Sequence, residues 1–297
     1  MKTHVVNLPF LETGVYSAEG NRLLIAVDKQ KGVDSRDVGK TLVQRLSDTV
    51  SAGDLDSAIL LTSSLRKDAD YKLTVIEKDG SISNMCGNGV RATAAFMNDK
   101  YGLAEVKLET AAGEIVIGKK ENNGLYSARL SEVKELNGDQ EDFKNLVGDE
   151  VLRMSEPFNF VVSEAKKIDG ANIISVSHIL REPHMVVSMP KVKNKHHLAL
   201  MAKKLMGLTT PAGNKVFPVG ININYVVNKF PEMLILTYER GVNDFTGSCG
   251  TGSICSAKQI LGSNSGELNI KALSGELKVG YDGKHYKITG HVRRLGN

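Results

Sequence analysis

The stretch Met85-Cys86-Gly87-Asn88-Gly89 returns 163 residues later as Ser248-Cys249-Gly250-Thr251-Gly252. A second echo follows each: Ala112-Gly113-Glu114-Ile115-Val116-Ile117-Gly118 reappears as Ser274-Gly275-Glu276-Leu277-Lys278-Val279-Gly280, at an offset of 162. Two separate matches at nearly one spacing mark an internal duplication. The joint falls near residues 131–150, where Asn137-Gly138-Asp139-Gln140-Glu141-Asp142 gathers polar and acidic side chains. The reading is two domains, 1–135 carrying Cys86 and 136–297 carrying Cys249.

Each half repeats one order of elements. Leu23–Val27 and Tyr71–Ile76 in the first half, and Ile221–Val227 and Met233–Tyr238 in the second, alternate and are rich in β-branched residues, which predicts strands. A helical stretch follows each Cys-Gly-x-Gly, Val90–Met97 and Ser253–Leu261, with Gly102 and Gly262 as stop signals. Further strands are predicted over 114–130 and 267–292, broken by hairpin turns at Asn122-Asn123-Gly124 and Asp282-Gly283. Many strands with one or two helices per half give an α+β fold.

A cysteine just before a helix sits among unpaired backbone N–H groups at the positive end of the helix dipole. The thiol is therefore expected below its ordinary pKa. The same amides can hold a carboxylate, and glycines let a ligand approach the backbone. One such motif suggests a nucleophile or an anion site. Two, in related halves, suggest two thiols working on one substrate: one takes a weakly acidic α-proton from one face, and the other returns a proton to the opposite face. Helix ends would stabilise charge moving onto the substrate carboxylate.

Other readings of these residues are weaker. A lone cysteine at a glycine turn is usually structural, but duplication argues against that for this pair. Gly87-Asn88-Gly89-Val90-Arg91-Ala92 also fits a dinucleotide fingerprint, yet the preceding Ser81–Asn84 are polar and not a buried strand. Neither C-x-x-C nor H-E-x-x-H spacing occurs, so no metal is expected. Cys255, six residues beyond Cys249, reads as core.

Bulk properties bound the class. The 297 residues are 41% hydrophobic and 24% charged, with net charge +4. The basic residues form no dense block, and Lys191, Lys193, Lys195, His196 and His197 read as a solvated face, so no nucleic-acid partner is expected. Neither a membrane span nor a signal peptide over Met1–Phe10 is read. Three cysteines, too few for a disulfide scaffold, fit reduced thiols and a cytoplasmic chain. A homodimer is compatible with these residues but not fixed by them.

Asp79-Gly80-Ser81 with Met85-Cys86-Gly87-Asn88-Gly89-Val90-Arg91, and Tyr238-Glu239-Arg240-Gly241-Val242 with Cys249-Gly250-Thr251-Gly252, resemble the two active-site motifs of diaminopimelate epimerases. Gly20-Asn21 before Leu23–Asp28, and Phe217-Pro218 before Ile221–Val226, resemble two further segments, so the likeness spans nearly the whole chain. The resemblance implies two pseudo-symmetric lobes, each a curved, mostly antiparallel sheet around a central helix. It also implies racemase or epimerase chemistry on a small-molecule amino-acid substrate with no cofactor. Cys86 and Cys249 would be the catalytic acid and base. Amides at Gly87, Asn88, Gly250 and Thr251 would hold the α-carboxylate and Glu239 the α-amino group. Asn21 and Asn222 would line the pocket, with His184 beside the reacting centre.

Three places depart from the pattern: Glu77, Glu182, and Asn21-Arg22-Leu23 where the family has Asn-Asp-Phe; the loop from Val242 to Cys249 is also one residue longer. Glu77 and Glu182 stand where the family has asparagines that contact the far, unreacting end of diaminopimelate. Carboxylates there repel a distal carboxylate and attract a cation. Arg240, which pairs with the distal carboxylate in the family, is retained. Pairing with Glu77 or Glu182 would neutralise it. These residues predict a racemase for a basic amino acid (histidine, lysine, ornithine or arginine), with diaminopimelate epimerase as the alternative. A proton-shifting isomerase need not keep both cysteines, and a non-catalytic binding protein would be expected to carry an export signal.

Overall fold

The computed structural model describes residues 11–28, 55–77, 80–190, 194–229 and 232–295. Asp79, the first ten residues, Lys191 and Lys193 lie outside these. The chain divides into two compact units, Met1–Ser131 with Lys287–Asn297, and Glu132–Tyr286.

In the first unit, β1 (Leu11–Ala18) and β2 (Asn21–Asp28) form an antiparallel hairpin. Next, β3 (Ser57–Ser63) runs parallel to β2, and β4 (Tyr71–Glu77) antiparallel to β3. The short β5 (Ile82–Ser83) folds back on β4 and leads into helix α1 (Gly87–Tyr101). Beyond the helix, β6 (Glu105–Glu109) joins β4 in parallel, followed by antiparallel β7 (Ile115–Lys120) and β8 (Tyr126–Leu130).

The second unit opens with β9 (Lys134–Glu135), α2 (Asp149–Leu152) and α3 (Pro157–Lys166). It then repeats the plan with β10 (Asn172–Ile179), β11 (Glu182–Ser188), helix α4 (Lys195–Met206), β12 (Asn222–Lys229), β13 (Glu232–Glu239), β14 (Asp244–Phe245), α5 (Gly250–Leu261), β15 (Gly266–Lys271) and β16 (Glu276–Tyr281). The β10–β11 pair is antiparallel, β11–β12 parallel, β12–β13 and β13–β14 antiparallel, β13–β15 parallel and β15–β16 antiparallel. That is the order and sense of the first unit, so the duplication extends to strand register. The chain ends with β17 (Tyr286–Gly290) and β18 (Val292–Leu295). β17 pairs with β8 and β18 with β1. These ladders return residues 287–297 to the first unit, whereas the sequence reading left them in the second and put the joint four residues later, at 135.

Both motif helices are central. All residues from Gly87 to Met97 of α1 are buried, as are Gly250–Ala257 of α5. A helix buried on every side needs small residues where strands approach closely. Gly118 of β7 is one case: a Cβ there would lie 2.9 Å from the Val90 carbonyl and 3.1 Å from the Ala94 methyl. The sequence expectation of an α+β fold with a sheet around a helix in each half is what the structure has. Among the described residues, no helix is long and apolar enough to cross a membrane.

Among the described residues, a charge pair lies inside the first core. Arg91, fully buried on α1, donates to Glu19 Oε2 at 2.6 Å and to Asn88 Oδ1 at 2.6 Å. Glu19 Oε1 also accepts from the His291 backbone amide at 2.5 Å. Glu19 belongs to the β1–β2 turn and adopts φ 43°, a left-handed conformation that is costly for a side chain with a Cβ. The buried pair thus ties the hairpin turn, the helix start and the carboxyl-terminal segment together. Removing one partner strands a buried charge, so Arg91→Leu is expected to lower unfolding free energy by about 3–5 kcal/mol in urea titrations. Adding Glu19→Gln to that variant should recover part of the loss.

Candidate active site

Each motif builds the same local structure. Cys86 takes an extended conformation (φ −137°, ψ 109°) as the N-cap of α1, and its sulfur accepts from the Gly89 amide at 3.2 Å. Cys249 caps α5 likewise (φ −118°, ψ 113°), and its sulfur accepts from the Gly252 amide at 3.4 Å. Sulfur replaces the oxygen of an ordinary Ser or Asp cap, so the reactive atom is held by the helix it starts. Both thiols are half-buried and free of disulfides. Gly87, Asn88, Gly250 and Thr251 form the first turns, where amide N–H groups lack helical partners.

In the first unit, Glu77 ends β4. Its carboxylate accepts from Ser57 Oγ at 2.8 Å and Ser83 Oγ at 2.5 Å. Asn88 is buried and held by Arg91. Asn21 begins β2, half-buried, directly after the Glu19-Gly20 turn.

The second unit gathers more of the predicted residues. Glu182 Oε2 and Arg240 form an ion pair at 2.7 Å. Arg240 also donates to the Val219 carbonyl at 2.8 Å, and its backbone amide donates to Asn222 Oδ1 at 2.9 Å. Of the two glutamates considered as internal partners for Arg240, Glu182 makes this bond. Glu182 is placed by a tight turn in which Leu180 and Arg181 both adopt positive φ, 52° and 61°. His184 is fully buried; its Nε2 lies 3.0 Å from Thr251 Oγ1 and its Nδ1 3.2 Å from Asn224 Nδ2.

The electrostatics correct one expectation. The Cys249 thiol is pushed well above its ordinary value, first by burial and then by the Glu239 carboxylate, which also accepts a hydrogen bond from it. The Thr251 hydroxyl and the Gly252 amide act in the lowering direction and are outweighed. The helix end is present, but desolvation and a neighbouring negative charge outweigh it and favour the thiol over the thiolate. Burial, helped by Arg240 and His178, pushes His184 down to about 3, which keeps its ring neutral. Cys255 is buried in α5 and pushed up to about 12, as suits a core thiol. Among the described residues, no group of three or more His, Cys, Asp or Glu is placed to hold a metal ion.

Comparison with known proteins agrees with this geometry. Residues 15–133 match the diaminopimelate epimerase family. The diaminopimelate epimerase of a Listeria monocytogenes serotype 4b strain is 30% identical over 254 residues, covering 83% of this chain and 70% of the relative. That of Listeria welshimeri is 29% identical over 253 residues, with the same two coverages. A solved hydroxyproline epimerase from Agrobacterium vitis, with bound trans-4-hydroxy-L-proline, superposes with TM-score 0.62 at 16% identity, covering 96% of this chain and 89% of that one. A Bacillus anthracis phenazine biosynthesis protein of the PhzF family gives 0.59 at 16% identity, covering 96% of each chain. Fold and motifs define an isomerase of the PLP-independent racemase and epimerase class. The chain belongs to the diaminopimelate epimerase family.

The sequence reading passed over Asn224, Thr237, Glu19 and Arg91 as working residues. Asn224 carried a signal: an asparagine inside a β-branched, otherwise buried strand is poorly suited to its place unless something bonds it. Glu19 and Arg91 lie 72 residues apart and carried none.

Two buried histidines give a pH prediction. His178, packed against Phe143, is pushed down to about 4, chiefly by burial. Its folded value lies below the unfolded 6.5, so its contribution is present above pH 6.5 and is lost as pH falls toward 4. Each such histidine contributes a slope of up to about 1.4 kcal/mol per pH unit in that window. His178→Asn should flatten the fall in unfolding free energy between pH 6.5 and 4.5, measured by urea denaturation.

Proposed function

We propose that this protein is a racemase for an amino acid with a cationic side chain, histidine, lysine, ornithine or arginine, working through Cys86 and Cys249. The observation that carries the substrate class is the Glu182–Arg240 pair at 2.7 Å. With Glu182 bonded to it, Arg240 is neutralised and less able to receive a distal carboxylate. Glu77 then supplies negative charge for a substrate cation, oriented by Ser57 and Ser83.

In this scheme one cysteine removes the α-proton as thiolate and the other delivers a proton as thiol; the roles exchange for the reverse reaction. Amides of Gly87, Asn88, Gly250 and Thr251 receive the carboxylate, where charge accumulates as the carbanion develops. Glu239 receives the α-ammonium. That contact would cancel the negative charge that raises Cys249, easing its proton loss when substrate is bound. The sulfur caps support the assignment of the thiols, as does membership of an epimerase family.

Diaminopimelate epimerase is the second reading. It is favoured by the retention of Arg240 and by the names of the curated relatives.

Incubating single L-amino acids and L,L-diaminopimelate in D2O, followed by chiral chromatography and mass spectrometry, separates the readings. Inversion of a basic amino acid with one deuterium at Cα is expected, and turnover of diaminopimelate alone would overturn the substrate assignment. Cys86→Ala and Cys249→Ala should each lose at least about a thousandfold in racemisation, in line with loss of an essential acid or base; full activity in either would refute the two-thiol scheme. Glu182→Asn should release Arg240 and raise kcat/KM for diaminopimelate relative to basic amino acids.

A further inference from the structure

The two halves fill the space beneath their motif helices differently. In the second unit a continuous polar chain runs to the sulfur. Thr237 Oγ1 donates to Asn224 Oδ1 at 3.0 Å. Asn224 Nδ2 lies 3.2 Å from His184 Nδ1 and donates to the Met185 carbonyl at 3.3 Å. His184 Nε2 meets Thr251 Oγ1 at 3.0 Å, and Thr251 Oγ1 meets Cys249 Sγ at 3.5 Å. Asn224, His184 and Thr237 are 0%, 0% and 4% exposed.

Strand register identifies the counterparts in the first unit. His184 pairs with Asn222 as Leu23 pairs with Ser57, and Val186 with Asn224 as Ile25 with Ile59. Asn224 pairs with Thr237 as Ile59 pairs with Val75. The helices agree: a Cβ on Gly252 would lie 2.2 Å from Asn224 Oδ1, and one on Gly89 would lie 2.7 Å from Ile59 Cδ1. His184, Asn224 and Thr237 therefore occupy the places of Leu23, Ile59 and Val75, each of them completely buried. The architecture is satisfied by three aliphatic side chains. Three buried polar ones cost desolvation without improving the fold, so their presence calls for a reason in the chemistry.

The direction of the chain supplies it. The Met185 carbonyl can only accept, which fixes the Asn224 amide with its nitrogen toward His184. His184 is neutral, so its Nδ1 accepts and its proton sits on Nε2. Nε2–H then donates to Thr251 Oγ1, leaving the threonine hydroxyl proton free to point at sulfur. We propose that Asn224, with Thr237 and His184, is a positioning element that locks the Thr251 hydroxyl as a donor to Cys249, built from three positions that are aliphatic in the first unit. The charged or titratable groups around it are Glu239 beside the thiol and Arg240 and His178 beside the imidazole. Against the burial and the Glu239 charge that disfavour the thiolate, the chain offers a second donor besides the Gly252 amide. It rests on the reading of Cys249 as a proton carrier, but its tests do not depend on turnover.

Nitrogen-15 NMR of histidine-labelled protein should show His184 as the Nε2–H tautomer; an Nδ1–H tautomer would overturn the proposal. Asn224→Asp accepts from Nδ1–H instead, reverses the chain and turns the Thr251 proton toward His184. Iodoacetamide alkylation of Cys249 at pH 8, followed by peptide mass spectrometry, should then slow about threefold: a roughly tenfold loss of thiolate, partly offset by its greater nucleophilicity. Thr251→Val should slow it equally, and the double variant no further, because both remove one hydrogen bond. Multiplying effects, or a wild-type rate in Asn224→Asp, would overturn the chain. The triple variant His184→Leu, Asn224→Ile, Thr237→Val copies the first half; it should unfold cooperatively and alkylate as slowly as Thr251→Val, and a wild-type rate would count against the proposal.

Discussion

Everything in the site depends on one hydrogen bond made twice, from the amide three residues into a helix to the sulfur that caps it. The bond from Gly89 to Cys86, and its twin from Gly252 to Cys249, fixes each thiol at the only point of the helix where amides are free. The glycines follow from it. A Cβ on Gly252 would collide with Asn224, so the first turn could not reach its strand with any other residue there. Burial of both helix starts, Gly87–Met97 and Gly250–Ala257, holds each cap in place.

The two halves stabilise this bond by different means. The first uses a buried ion pair, Arg91 with Glu19, that clamps Asn88 in the first turn. The second leaves its helix start to neutral hydrogen bonds and places its ion pair, Arg240 with Glu182, at the ends of β13 and β11. The duplicated architecture therefore carries unequal chemistry in its two halves. The Cys249 thiol is pushed up beside Glu239, whereas Glu77, the matching residue at the end of β4, is bonded by serine hydroxyls.

Most of the architecture was legible in the sequence because repeats and alternation are local signals. The strands at Leu23, Tyr71, Ile221 and Met233, the helix ends at Gly102 and Gly262, and both cysteine motifs lie where their patterns placed them. The ionisation of Cys249 was not legible, since desolvation depends on neighbours such as Glu239 that converge only in the fold. The Glu182–Arg240 pair was half legible: charge balance demanded a partner for Arg240, but two glutamates were candidates and only coordinates choose between them. The place of the last eleven residues was hidden because strand pairing across the whole chain leaves no trace in spacing.

That last feature bears on how the protein is made. The first unit lacks β17 and β18 until residues 286–295 have been made, since these strands close on β8 and β1. At about 5–20 residues per second, roughly ten to thirty seconds pass between synthesis of Ser131 and of Leu295. Through that interval the edges of β1 and β8 stand open while the second unit is still emerging. Open edges invite pairing with other nascent chains. Removing residues 286–295 would therefore open edges in the half that was made first.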